Sequence, residues 1–274
     1  MNLETIGHST GWLSAKVSTN LEHHVVALIA AGATAVELVE GEERRLAAFE
    51  QGSLPEQLTY RSIHLGDFSS MTGEILEARV RRLAHIFKHL DINGASLHPD
   101  TTSNDAIAKL EAAQIPLGIE NMDRNKRFGK ELNDLLSVES QAPFVIDLQH
   151  AYENIVDDPE KFKDFVRHIC QFCKEGRSVI HLHVSGEYLA CDKPSFNHMP
   201  LHLATNQLEI IALLKEVAET LQYLPPIILE GDYLFDKPFI SSELPDARRD
   251  ELIALAAKRM KDEIELIKDR VLSW

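Results

Sequence analysis

Six residues of types that hold metal ions close short apolar runs: His64 ends RSIH, His98 ends GASLH, Glu120 ends PLGIE, Asp147 ends PFVID, His183 ends VIHLH and Glu230 ends PIILE. A buried carboxylate without a partner costs several kcal/mol of desolvation, so Glu120, Asp147 and Glu230 together require cations or protons. A divalent ion is the simplest compensation. Parity supports this: side chains alternate along a strand, so Ser62 shares a face with His64, Ser96 with His98, Gly118 with Glu120 and His181 with His183, while Ile63, Leu97, Ile119 and Leu182 face the other way. Two more histidines are candidates. His150 follows Asp147 in DLQH, and His198 lies in the His181–His202 tract, where a long loop can fold back over the strand ends. Imidazole favours Zn, Fe, Co or Mn over Mg, so the expected cofactor is a divalent Mn, Zn, Co or Fe ion.

The elements that must position these residues follow from period. Apolar runs near 3–7, 34–39, 58–64, 93–98, 115–120, 143–147, 178–184 and 226–230 each precede a stretch with helical spacing. Ser103-Asn104-Asp105 and Asp157-Asp158-Pro159 suit helix starts. Eight strand–helix pairs predict a single (β/α)8 TIM barrel over residues 1–274, with an open doubly wound sheet as the structural alternative. In such a barrel the C-terminal strand ends converge on one mouth, which makes the mouth the expected active site.

The 274 residues include 28 basic and 43 acidic side chains, giving 28 − 43 = −15, and the basic runs Arg79–Arg82 and Arg248-Arg249 fall on predicted helices away from the mouth. That balance disfavours nucleic acid as a partner and leaves small molecules. The loop from Gly186 to Asn197, with Glu187 and Asp192 against Lys193, suits a lid over a small substrate better than a clamp on a polyanion. No run of 18 apolar residues and no signal-like N-terminus is present, so a soluble cytoplasmic protein without a membrane anchor is expected. Three cysteines fit a reducing compartment. A homo-oligomer is compatible with the sequence.

With these motifs in place, the chain resembles the xylose isomerase-like TIM-barrel superfamily, which includes sugar isomerases and epimerases and endonuclease IV-type enzymes. The resemblance to the epimerase branch implies one divalent ion held by Glu120, Asp147, His183 and Glu230, with His150 touching substrate. That to the endonuclease IV branch implies further ligands at His64, His98, His150 and His198. The sequence departs from the epimerases in HVSGEYLACDK, which lacks their Arg, and from the nucleases at Phe196, where a ligand Asp would stand. IEN, DLQHAYEN and HVSG also resemble multinuclear non-haem iron oxidative enzymes of the same fold. The leading expectation is an isomerase or epimerase of a small sugar-like carbonyl compound, in which Glu120 and Glu230 exchange a proton through an enediolate. Multinuclear-zinc phosphoester hydrolysis, iron-dependent oxidation and a catalytically silent binding barrel are the alternatives.

Other residues have plainer readings. Cys170 and Cys173 lie inside a predicted helix and are read as structural, His85 and His89 as surface residues, and His23 and His24 as surface residues of the first helix. His8 stands where it either lines the mouth or does not. Asp67 and Asp232, just past the third and eighth strands, are candidates to support the site, and His202 to order the seventh loop.

Overall fold

The computed structural model describes residues 3–41, 43–155, 159–174, 176–188, 196–239 and 244–274. In chain order the elements are β1 (Ile6–Ser9), α1 (Gly11–Lys16), α2 (Leu21–Ala31), β2 (Ala35–Val39), α3 (Glu43–Gln51), β3 (Tyr60–His64), α4 (Gly73–Leu90), β4 (Gly94–Leu97), α5 (Asn104–Ala112) and β5 (Leu117–Glu120). They continue with α6 (Leu132–Ser137), β6 (Phe144–Asp147), α7 (Leu148–Ile155), α8 (Pro159–Lys174), β7 (Val179–Val184), β8 (Gly186–Tyr188), β9 (Phe196–Met199), α9 (Gln207–Leu221), β10 (Ile227–Leu229) and α10 (Asp246–Leu272). Eight strands close a parallel barrel in the order β1-β10-β7-β6-β5-β4-β3-β2, and β8 and β9 form a separate antiparallel pair. All eight expected strands are therefore present and the open sheet is excluded.

The parity seen in the sequence builds the layers. Ile63, Leu97, Ile119 and Leu182 are fully buried between barrel and helices, each burial stabilising the fold by about 1.5–3 kcal/mol. Inside, small residues make room. A Cβ at Gly94 or Gly118 would lie 2.8 or 2.7 Å from the Ile180 side chain, which fills the barrel axis. Ile180 reaches it through a β-bulge: Phe144 pairs with Val179 and Val145 with His181, leaving Ile180 unpaired between them.

Local signals explain the helix ends. The Ser103 hydroxyl accepts from the Ala106 amide at 3.2 Å and starts α5 as expected. The helix α8 begins at Pro159, while Asp157 and Asp158 lie outside the described residues, as do residues 189–195 of the expected lid with Asp192 and Lys193. Glu187, an acid of that expected lid, is buried. The long α10 packs along α2 with Leu252, Ile253, Ala256, Met260, Ile264, Ile267 and Val271 inward.

One histidine reading is corrected and one open one is decided. His24 is buried, with Nε2 2.6 Å from the Ser18 carbonyl, because Leu21, His24, Ala27, Leu28 and Ala31 form the apolar stripe of α2. His23 beside it is half-buried. His8 does not line the mouth: β1 turns it outward, where its Nδ1 meets the Tyr233 hydroxyl at 2.7 Å. His85 and His89 are exposed. Among the described residues no helix is long and apolar enough to cross a membrane.

Candidate metal centre

Each strand end delivers its side chain to one place. Glu120, ending β5, lies at the middle: its Oε1 is 3.3 Å from His183 Nδ1 and 3.6 Å from His150 Nδ1, and its Oε2 is 3.6 Å from His64 Nε2 and 3.5 Å from His98 Nε2. Glu230 Oε1 is 3.6 Å from His183 Nδ1, and Asp147 Oδ2 is 3.4 Å from His150 Nδ1. Two ligand atoms held at about 2.1 Å from one ion lie about 3.0–3.4 Å apart, so the Glu120–His183 spacing suits shared coordination. Ligand atoms of Glu120, Asp147 and His183 converge within 4.8 Å of one another, and so do those of His64, His98 and Glu120.

Local structure explains how the side chains are aimed. Asp147 ends β6 directly before α7, and its Oδ1 accepts from the His150 amide at 2.7 Å as a helix cap. Its other oxygen turns to the mouth, so the DLQH spacing is a cap that also presents a ligand. The two strand ends are locked together by Asn121, whose Nδ2 donates to the Asp147 carbonyl at 2.9 Å while its Oδ1 accepts from the Asp147 amide at 2.8 Å. His150 Nδ1 bonds the Asn121 carbonyl at 2.9 Å, which leaves Nε2 for the mouth. His198 is held at φ 60, a strained conformation for a non-glycine residue; its carbonyl accepts from the Asp232 amide at 2.6 Å and its ring lies 6.2 Å from that of His150. The Trp12 indole donates to the Glu230 carbonyl at 3.1 Å.

The donor set passes a direct test of fit. Glu120 Oε2, Asp147 Oδ2, His183 Nδ1, His98 Nε2 and His198 Nδ1 are buried and lack protein hydrogen-bond partners. Buried polar atoms are otherwise nearly always paired, so a concentration of such atoms at one point suits a cation. Proton affinities reflect the same crowding. Burial pushes Glu230 up to about 8 against the pull of His183, with Asp147 and Glu120 adding to the rise. Burial opposes charge on His183 and His150, yet Glu230, Glu37 and Glu120 hold His183 well above the usual range, and Asp147 and Glu120 raise His150 to about 9. Glu120 goes the other way: burial is outweighed by His183 and His98, which hold it well below the carboxylate range. Burial, then His98, lowers His64 to about 4.

Two supporting candidates separate. Asp232 is fully buried and pairs with Lys16 Nζ at 2.5 Å, tying α1 to the loop after β10, whereas Asp67 is exposed and accepts from the Ser69 amide at 2.7 Å. His202 is half-buried on the turn after β9. Sequence reading missed Glu37 and Asn121. Glu37 lies on β2, fully buried, with Oε1 3.1 Å from His183 Nε2 and Oε2 3.4 Å from His181 Nε2. Its signal was an acid in mid-run of TAVELVE, with the parity of Ala35 and Val39.

No family model and no curated protein matches the sequence. Solved structures do match in fold. The structure of AsfvAP:AG is similar with a TM-score of 0.62 and 11% identity, over 98% of this chain and 100% of that one. D-psicose 3-epimerase in the presence of D-fructose gives 0.58 and 13%, over 96% and 97%. Endonuclease IV from Thermus thermophilus gives 0.55 and 16%, over 95% and 99%. Set beside the closed parallel barrel, these likenesses show that the chain shares its (β/α)8 barrel fold with D-psicose 3-epimerase, endonuclease IV and a xylose isomerase domain protein.

Proposed function

We propose that the protein is a divalent-metal-dependent isomerase or epimerase of a small sugar-like carbonyl compound, with Glu120, Asp147, His183 and Glu230 as ligands of one ion. The observation that carries this reading is the placement of two carboxylates, Glu120 and Glu230, at 3.3 and 3.6 Å from the same His183 nitrogen. A divalent ion held by these residues would supply Lewis-acid polarisation of the substrate carbonyl. Glu120 and Glu230 then border the reacting carbons, one removing a proton and the other returning it. His150 is fixed through Nδ1 to the Asn121 carbonyl and presents Nε2 to a substrate hydroxyl.

The test is a panel of ketoses and aldoses offered in D2O to protein loaded with Mn or Co. Deuterium entering at the carbon beside the carbonyl, and lost in Glu230→Gln, supports the reading; no exchange with any sugar removes it.

A second reading, metal-assisted phosphoester hydrolysis, is favoured by His64 and His98 beside the outer oxygen of Glu120, which gives a second ion a place next to the first. The net charge of −15 points that reading to small phosphoesters rather than duplex DNA. Metal content discriminates: one ion per chain suits the isomerase, two or three the hydrolase.

A further inference from the structure

Below the strand-end residues lies a second polar layer that the proposed chemistry does not use. Glu37, Ser62, Ser96 and His181 are all fully buried inside the barrel, beneath the proposed ligand His183. The Ser96 and Ser62 hydroxyls donate to Glu37 Oε2 at 2.6 and 3.2 Å, and His183 Nε2 stands 3.1 and 3.2 Å from the two Glu37 oxygens. His181 Nε2 is 2.8 Å from Ser96 Oγ and 3.4 Å from Glu37 Oε2, while its Nδ1 takes the Tyr60 hydroxyl at 2.7 Å.

A carboxylate buried this deeply is costly, and barrel interiors are usually filled with branched apolar side chains. Glu37 therefore needs a reason to be there. A neutral imidazole carries its proton on one nitrogen only, and the partner of that nitrogen decides which atom is left for a metal. His183 places Nε2 against Glu37 and Nδ1 against Glu120 and Glu230, and Nδ1 has no hydrogen-bond partner.

We propose that Glu37 is a positioning residue: by accepting the Nε2–H of His183 it fixes the ring orientation and tautomer that offer Nδ1 to the ion. In this role Glu37 is not itself a ligand; it acts through His183. The serines and His181 hold the carboxylate in turn, with Tyr60 setting His181. The role rests on the metal reading above, in that it requires His183 to be a ligand.

The experiment uses the full chain and zinc. In the zinc-loaded wild type, long-range 15N–1H spectra of the imidazoles should show His183, identified by its disappearance in His183→Asn, protonated at Nε2 and metal-shifted at Nδ1. This needs no variant at position 37. Glu37→Gln, which keeps shape but removes the charge, should bind zinc about 10- to 100-fold more weakly while retaining its circular dichroism and cooperative melt. Zinc attached to Nε2, or unchanged zinc affinity in a folded Glu37→Gln, overturns the positioning role alone when His183→Asn loses zinc. If His183→Asn binds zinc like the wild type, the metal reading fails and the positioning role falls with it.

Discussion

Two regions of this molecule bury carboxylates next to histidine, and they treat them differently. Behind the barrel, Glu263 of α10 accepts from the Tyr233 hydroxyl with one oxygen and from the Leu201 amide with the other, and Tyr233 meets His8 at 2.7 Å. At the mouth, Glu120 Oε2, Asp147 Oδ2 and His183 Nδ1 are left without protein partners. In the α10 seam both oxygens of the carboxylate have protein donors, and Glu263 joins the loop after β9 to the helix. The mouth is incomplete, and only an added cation or retained protons balance it. Composition alone does not separate the two; the fate of each lone pair does.

The sharpest way to break this contrast is Glu120→Gln, since Glu120 serves both ligand groups of the mouth. Zinc affinity should fall at least about 100-fold with the fold intact by circular dichroism, as measured by metal analysis after dialysis. Full metal retention would make the mouth another self-contained seam.

Next in size is the proton linkage. Ligands must shed protons to bind a metal, and His183 is held well above its usual range while Glu230 sits at about 8. Zinc binding at pH 7 should release about one to two protons, so affinity should climb about 10- to 100-fold per pH unit around neutrality. Calorimetry in buffers of different ionisation heat reads this directly. Binding without proton release would contradict the charge arrangement of the mouth.

Glu263→Leu tests the other side. It strands the Tyr233 hydroxyl and the Leu201 amide, so a loss of about 2–4 kcal/mol is expected, seen as a melting temperature lower by about 5–15 °C, with zinc stoichiometry unchanged. Burial raises Glu263 to about 7 against its Tyr233 and Leu201 bonds. Its stabilising contribution is thus fully present below the ordinary carboxylate range and lost as pH rises through about 7, making the deficit larger at pH 5 than at pH 8. Metal loss matching that of Glu120→Gln would erase the distinction between the regions.

The smallest effect belongs to Cys173, whose thiol burial raises to about 11. Cys173→Ser should change stability by no more than about 1 kcal/mol and metal binding not at all, and the native thiol should label more slowly than free cysteine at pH 8. Fast labelling would argue for a redox role of the Cys170–Cys173 pair.

The strand ends were legible because a closed barrel brings every one of them to a single rim, so position in an apolar run becomes position in space. His64, His98, Glu120, Asp147, His183 and Glu230 converge for that reason. Glu37 escaped because it lies one layer down, inside its run rather than at its end. Asn121 gains meaning only from the adjacency of β5 and β6. His24 was misread, and His8 left open, because the element covering them, α10 or its neighbourhood, lies more than 200 residues away in sequence. Strict alternation also hid the bulge: it assigns Ile180 to the outer face, whereas the structure turns it to the axis.

That bulge has a consequence for how this chain can change over generations. An unpaired residue at position 180 means that β7 carries one residue more than its β6 partner at this point, and His181 and His183 lie beyond it. Deleting that residue, or inserting another, would rotate every following side chain by half a period and send both histidines toward the helices. Insertions and deletions can accumulate in the loops between elements, but β7 is a length-frozen segment, where gain or loss of a single codon would remove two rings from the barrel interior at once.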